Sequence, residues 1–123
     1  MSNGERRGSA RRVIRLACEV RFPSGVSIVG TTRNISSDGV DVEANSVSGG
    51  QDITPTPGEM GLLTLKFRRK GAPESIMVQC QVVHILGNGL GLSARFSELS
   101  RPEQSIIGQL VDTGMVQDIP ENR

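Results

Sequence analysis

Aromatic side chains are nearly missing from this chain: 123 residues contain no Trp, no Tyr and three Phe. A core must therefore be filled by Val, Ile and Leu, and no platform of rings is at hand on which bases could stack, which argues against general single-strand nucleic-acid binding. Long hydrophobic runs are missing as well. The apolar stretches are only a few residues long, against the ~20 that span a bilayer, so no membrane insertion is expected. The opening MSNGERRGSARR is polar and basic and lacks the apolar stretch of a secretory signal, so a cytoplasmic location is expected.

Histidine occurs once, as His84, so any Ser/His/Asp or Cys/His arrangement would have to be built on it. It sits mid-pattern on an apolar strand face, where a core or rim position is the plainer reading. Cys18 and Cys80 have none of the paired spacings of zinc sites. Both lie in apolar strand patterns and read as small core thiols in a reducing compartment. Asp41 and Glu43 share a strand face, but a solvated face does not separate their pKa values as acid/base work requires. Gly87, Gly89 and Gly91 are followed by no helix and make no phosphate loop. Neither an enzyme, a metal site nor a cofactor is expected.

What the chain does have is turns and arginine. Its length suits one domain, and fifteen Gly and six Pro suit short antiparallel strands. The net charge of +1 conceals an asymmetry: residues 1–21 hold six Arg against two Glu, whereas the rest holds eight basic and eleven acidic side chains. Twelve Arg against two Lys favour planar, forked recognition of phosphate and guanine edges over point-charge binding.

From Val13 to Phe22 apolar residues strictly alternate, with Ile14, Leu16, Cys18, Val20 and Phe22 on one face, the pattern of a half-buried strand. A second strand follows over Val26–Arg33, then a run of turn formers, Asn34-Ile35-Ser36-Ser37-Asp38-Gly39, and a third strand over Val40–Ala44. Residues 45–59 read as a loop. Leu62–Arg69 and Ile76–Leu86 read as strands joined by a charged tip, the latter with Ile76, Val78, Cys80, Val82 and His84 on one face. A Gly87-Asn88-Gly89 turn leads to a sixth strand, Leu90–Phe96. Ser100-Arg101-Pro102-Glu103 is a capping box opening a helix that carries Ile106, Ile107, Leu110 and Val111, with Gly114 as its stop. The fold class expected is all-β: six antiparallel strands in meander order forming a small barrel, with one C-terminal α-helix. Residues 1–12 are expected to form a flexible basic N-terminal arm, 13–113 the barrel and helix, and 114–123 a loose tail.

Two motifs stand out in combination. Arg7-Gly8-Ser9-Ala10-Arg11 is an R-x-x-x-R segment just before the first strand, and Asn34-Ile35-Ser36-Ser37-Asp38-Gly39 is an N-x-S-x-x-G turn between the second and third. In that order, on a six-stranded barrel with a C-terminal helix, they resemble the PilZ domain family. The resemblance spans Glu5 to Val111 and includes the Gly89-Leu90-Gly91-Leu92 to Arg95-Phe96 strand and the Phe96-Ser97-Glu98-Leu99 lead into the helix.

PilZ domains are bacterial receptors for the second messenger cyclic di-GMP, and the resemblance implies that ligand and the roles at matching positions. Arg7 and Arg11 would bind phosphate and guanine edges from an arm that becomes ordered around the nucleotide. Asn34 and Ser36 would hydrogen-bond a guanine, and Gly39 would permit a turn that a side chain blocks. Arg6 stands where an extra Arg in some members favours a stacked ligand dimer, and His84 where many members carry Trp. Asn34 stands where Asp is commonest, keeping the acceptor oxygen without the charge. The implied function is a non-catalytic receptor that presents a changed surface to a protein partner in motility, type IV pilus or biofilm control. The alternatives are a PilZ-fold interaction module that does not bind nucleotide and, third, a basic-armed nucleic-acid binder on an OB-like barrel.

Overall fold

Apolar residues at every second position favour strands, and the strands of this chain close on themselves. The computed structural model describes residues 11–49, 55–86 and 91–116. In chain order these form β1 (Arg11–Arg12), β2 (Ala17–Arg21), β3 (Ser27–Ser36), β4 (Gly39–Ser48), β5 (Met60–Arg69), β6 (Ala72–Leu86), β7 (Gly91–Phe96) and α1 (Arg101–Thr113). All ladders between them are antiparallel, and the six long strands make the ring β3-β2-β5-β6-β7-β4, closed by pairing of β4 with β3. This is the expected six-stranded barrel with one helix at the C-terminal end, but not in meander order. β2 pairs with β5, and β4 pairs with β7, so β4 and β5, though consecutive in the chain, do not pair as a hairpin.

The interior is aliphatic, as the shortage of rings requires. Val20, Val26, Ile35, Val40, Val42, Leu63, Leu65, Val78, Val82 and Leu92 are essentially inaccessible, with Phe22 and Phe67 nearer the ends of their runs. Cys18 and Cys80 are buried and free, and burial pushes their thiols up to about 12 and about 11 respectively, so both stay protonated at neutral pH.

Four local features depart from the sequence reading. First, the strand expected over Val13–Phe22 is split. Thr32, fully buried, accepts a hydrogen bond from the Leu16 N–H and donates to the Ile14 carbonyl, so a hydroxyl replaces ladder pairing there. The burial alternation survives the break, but Arg11–Arg12, assigned to the arm, form β1 against Ser36 and Ile35 of β3. Second, β4 runs on through Asn45–Ser48, the start of the expected loop, because its backbone ladder to β3 extends as far as Ser27↔Ser48. Third, the β6–β7 ladder carries a bulge at Val83: Val82 faces Ala94, whereas His84 faces Ser93. One extra residue reverses facing. His84 is therefore exposed rather than aligned with Cys80 and Val82, and Ile85 packs against the core instead. Fourth, Val116, placed in the loose tail, is buried and bridges in parallel to Arg69. Residues 1–10 and 117–123, the remainder of the expected arm and tail, lie outside the described residues.

The helix follows its sequence signals. The Ser100 hydroxyl accepts from the Glu103 N–H while the Glu103 carboxylate accepts from the Ser100 N–H, Pro102 occupies the first turn, and Gly114 ends the helix at φ 81°. Ile106, Ile107 and Leu110 bury its inner face, and it packs on β3 and β1. Its last turn holds no basic residue of its own, but Arg12 supplies one: Nε donates to the Val111 carbonyl at 2.6 Å and Nη2 to the Asp112 carbonyl at 2.9 Å. A guanidinium on orphan carbonyls satisfies them and complements the negative end of the helix dipole.

Two outcomes follow for stability. Arg12→Ala lowers unfolding free energy by roughly 1–2 kcal/mol, since charge-assisted hydrogen bonds and a dipole contact are lost together; urea titration measures this, and amide exchange in the last turn of α1 speeds up. A Cβ on Gly91 would lie 2.3 Å from the Val42 carbonyl oxygen, whereas one on Gly108 meets nothing within 4 Å. Gly91→Ala is therefore destabilising by roughly 1–3 kcal/mol, and Gly108→Ala is stabilising by up to about 1 kcal/mol, a sign difference readable in thermal melts.

Candidate functional site

Barrel closure brings residues from four strands into one row on the outer surface. Asn34 on β3 faces Asp41 on β4, Asp41 faces Ser93 on β7, and Ser93 faces His84 on β6. Both ends of this row depend on bulges. Arg33 is the extra residue that sets Asn34 opposite Asp41, as Val83 sets His84 opposite Ser93. At the Asn34 end the two-residue β1 ladder brings in Arg11, opposite Ser36.

The side chains along the row are joined. Arg11 Nη1 donates to Asn34 Oδ1 at 2.5 Å and lies 3.6 Å from Asp41 Oδ2. Asn34 Nδ2 donates to Asp41 Oδ2 at 3.2 Å, and the Ser93 hydroxyl donates to Asp41 Oδ1 at 2.6 Å. A guanidinium on one side and a carboxylate on the other leave the Asn34 amide one sensible orientation, oxygen toward Arg11 and nitrogen toward Asp41. One rung further along β4, Arg15 donates to Glu43 at 2.7 Å, and that hydrogen bond, with the charges of Arg15 and Arg33, holds the Glu43 carboxyl below its ordinary range. In the other direction Arg95 lies between Gly39 and Gln81 and donates twice to Gln81 Oε1.

The turn that carries the N-x-S-x-x-G motif is built by Ser36. Its side chain is buried, and its hydroxyl oxygen accepts from the Asp38 N–H at 3.2 Å and the Gly39 N–H at 3.1 Å. The Asp38 carbonyl in turn accepts from the Phe96 N–H, tying the turn to β7. Gly39 is required for a reason other than the turn conformation expected: its φ is not positive, but a Cβ there would lie 2.4 Å from the Ala94 carbonyl oxygen. A cavity of about 600 Å³ opens beside this turn, lined by Asp38, Arg95, Phe96, Glu98, Gln104 and Ile107 among others, and its lining includes none of Arg11, Asn34, Ser36, Gly39 and His84.

Of those residues, Arg11 and Asn34 are in direct contact, Ser36 and Gly39 shape the adjoining turn, and His84 stands exposed at the far end of the row. Arg6 and Arg7 lie outside the described residues. Asp41 and Ser93 were missed: Asp41 read as a solvated acid, yet its side chain is only 24% exposed and meets three partners. Local spacing held no sign of this, because β4 and β7 are far apart in the chain. Among the described residues no group of three His, Cys, Asp or Glu could hold a metal ion, and no helix is long and apolar enough to cross a membrane.

Comparisons with solved structures and with protein families agree with this architecture. No curated protein matches the sequence. The chain is similar in structure to the Bacillus subtilis inhibitor of motility MotI/DgrA, at TM-score 0.65 and 17% identity over 82% of this chain and 47% of that one. It is similar also to the PilZ domain of CeSA from a cellulose-synthesizing bacterium, at TM-score 0.56 and 16% identity over 83% of this chain and 94% of that one. At such identities the likeness shows the fold alone, and this chain spans about half the length of the first. The PilZ domain family model, however, matches residues 5–113, from ahead of the first arginine motif through the helix. With that match over a barrel of this topology, the chain belongs to the PilZ domain family.

Proposed function

We propose that this chain is a non-catalytic receptor for cyclic di-GMP in the bacterial cytoplasm, which orders its arginine arm around the nucleotide and thereby offers a changed surface to a protein partner. The observation that carries this reading is the pairing of β1 with β3, which sets Arg11 of the first motif on Asn34 of the second. The ligand has two phosphodiesters and two guanines. Guanidinium forks suit its phosphate oxygens and its O6/N7 acceptor edges, and the amide oxygen of Asn34 suits the N–H donors of guanine.

Residues divide accordingly. Arg7 and Arg11 contact the ligand, with Arg6 adding a third cation that favours a second, stacked nucleotide. Asn34 accepts from a guanine, and Ser36 and Gly39 hold the turn that presents it. His84 flanks the site as a modest stacking surface. The names of the structural neighbours, an inhibitor of motility and a domain from a cellulose-synthesizing bacterium, suggest the kind of output such a partner serves. The partner itself is an unidentified protein, and no cofactor beyond the messenger is needed.

Calorimetric titration with cyclic di-GMP, cyclic di-AMP, GTP and a DNA duplex tests the reading: saturation by cyclic di-GMP alone is expected. Arg7→Ala and Arg11→Ala each weaken that binding by roughly ten- to a hundredfold, since one charge-assisted hydrogen bond is worth ~1.5–3 kcal/mol. Arg68→Ala, on the opposite part of the barrel wall in β5, leaves it unchanged. No binding of any nucleotide would select the interaction-module alternative, and binding of the duplex the nucleic-acid one.

A further inference from the structure

The Asn34–Asp41 contact has a meaning beyond local packing. We propose that Asp41 supplies the negative charge that this site offers to the donor edge of guanine, with Asn34 as the neutral acceptor that Asp41 holds in orientation. This rests on the reading of the chain as a cyclic di-GMP receptor and assigns specificity within that site.

Three observations carry it. Asn34 Nδ2 and Asp41 Oδ2 are 3.2 Å apart, so a carboxylate at position 34 would stand against another at hydrogen-bond distance. Two carboxylates that close cannot both stay ionised without cost, so the pair accommodates one charge, and in this chain it sits at Asp41. Next, the Asp41 carboxylate is held at both oxygens, Oδ1 by the Ser93 hydroxyl and Oδ2 by the Asn34 amide, with Arg11 Nη1 a further neighbour 3.6 Å from Oδ2, and each oxygen accepts one hydrogen bond where it has capacity for two. The carboxylate is thus oriented but not saturated. Finally, its side chain is 24% exposed, partly withdrawn from water but reachable from the face on which Arg11 lies.

The chemistry of the bases then gives specificity. Guanine presents N1–H and N2–H donors along one edge, which an anionic oxygen beside an amide oxygen can receive together. Adenine presents an unprotonated N1 at the corresponding position, a lone pair facing a carboxylate. Asp41 therefore favours guanine and disfavours adenine, whereas Asn34 alone, able to turn its amide over, would tolerate either.

A charge swap tests this with the full-length protein, titrating cyclic di-GMP and cyclic di-AMP into wild type, Asp41→Asn, Asn34→Asp and the double variant Asn34→Asp/Asp41→Asn. Asp41→Asn is isosteric and leaves two amides able to hydrogen-bond each other, so it removes charge without removing the contact; thermal melts verify that each variant is folded. The expected result is that Asp41→Asn weakens cyclic di-GMP binding by roughly tenfold or more and narrows the margin over cyclic di-AMP. The double variant, with the charge moved to position 34, recovers to within about threefold of wild type. Both effects together are a non-additivity that a purely structural role would not produce. Wild-type affinity in Asp41→Asn, or a double variant no better than Asp41→Asn, would overturn the assignment while leaving the receptor reading intact. Failure of wild type to bind cyclic di-GMP would overturn both.

Discussion

The pairing of β4 with β7 is the constraint on which the rest of this molecule depends. It joins the β3–β4 hairpin to the β5–β6–β7 side of the ring, and it does so at close quarters: Cβ atoms on Gly39 and Gly91 would lie 2.4 Å and 2.3 Å from carbonyl oxygens of the facing strand. Only residues without a side chain allow the two backbones to approach that far. The same seam aligns Asp41 with Ser93 and, through the neighbouring strands, Asn34 with His84. Strand closure and site assembly are thus one event, and the core aliphatic residues stabilise both by filling the barrel behind the seam.

Adjacent residues at the root of the arm illustrate how economically the chain is used. Successive side chains of an extended strand point to opposite faces, so in β1 Arg11 turns to Asn34 on the outer surface and Arg12 to the last carbonyls of α1. The first contact belongs to the candidate site and the second to the stability of the helix. The two-residue ladder to Ile35 and Ser36 fixes both directions at once.

Much of this was legible in the sequence because it is local. The alternation around Cys18 and Val20, the hairpin from β5 into β6, the capping box at Ser100 and Glu103, and the stop at Gly114 depend on residues close in the chain. The two motifs also point to the contact between Arg11 and Asn34, although only the fold brings them together. What escaped is nonlocal or carried by backbone. Extra residues at Arg33 and Val83 leave no mark in composition, yet each reverses which neighbours face outward, and the one at Val83 moves His84 off the core side. Asn45–Ser48 have no apolar pattern because their strand is held by its ladder alone. The hydroxyl of Thr32 splits a strand that alternation shows as continuous, and the partners of Asp41 lie on strands that nothing in its own segment identifies.

The most direct measurement of the central claim, that the messenger is received on the β4–β7 seam, is a backbone amide NMR titration with cyclic di-GMP. The account predicts shift changes concentrated at Arg11–Arg12, in the turn from Ile35 to Val42 and around Ser93, with the β5–β6 tip from Lys66 to Ala72 silent. Changes centred instead on Lys66, Arg68, Arg69 and Lys70, with the seam unaffected, would contradict it.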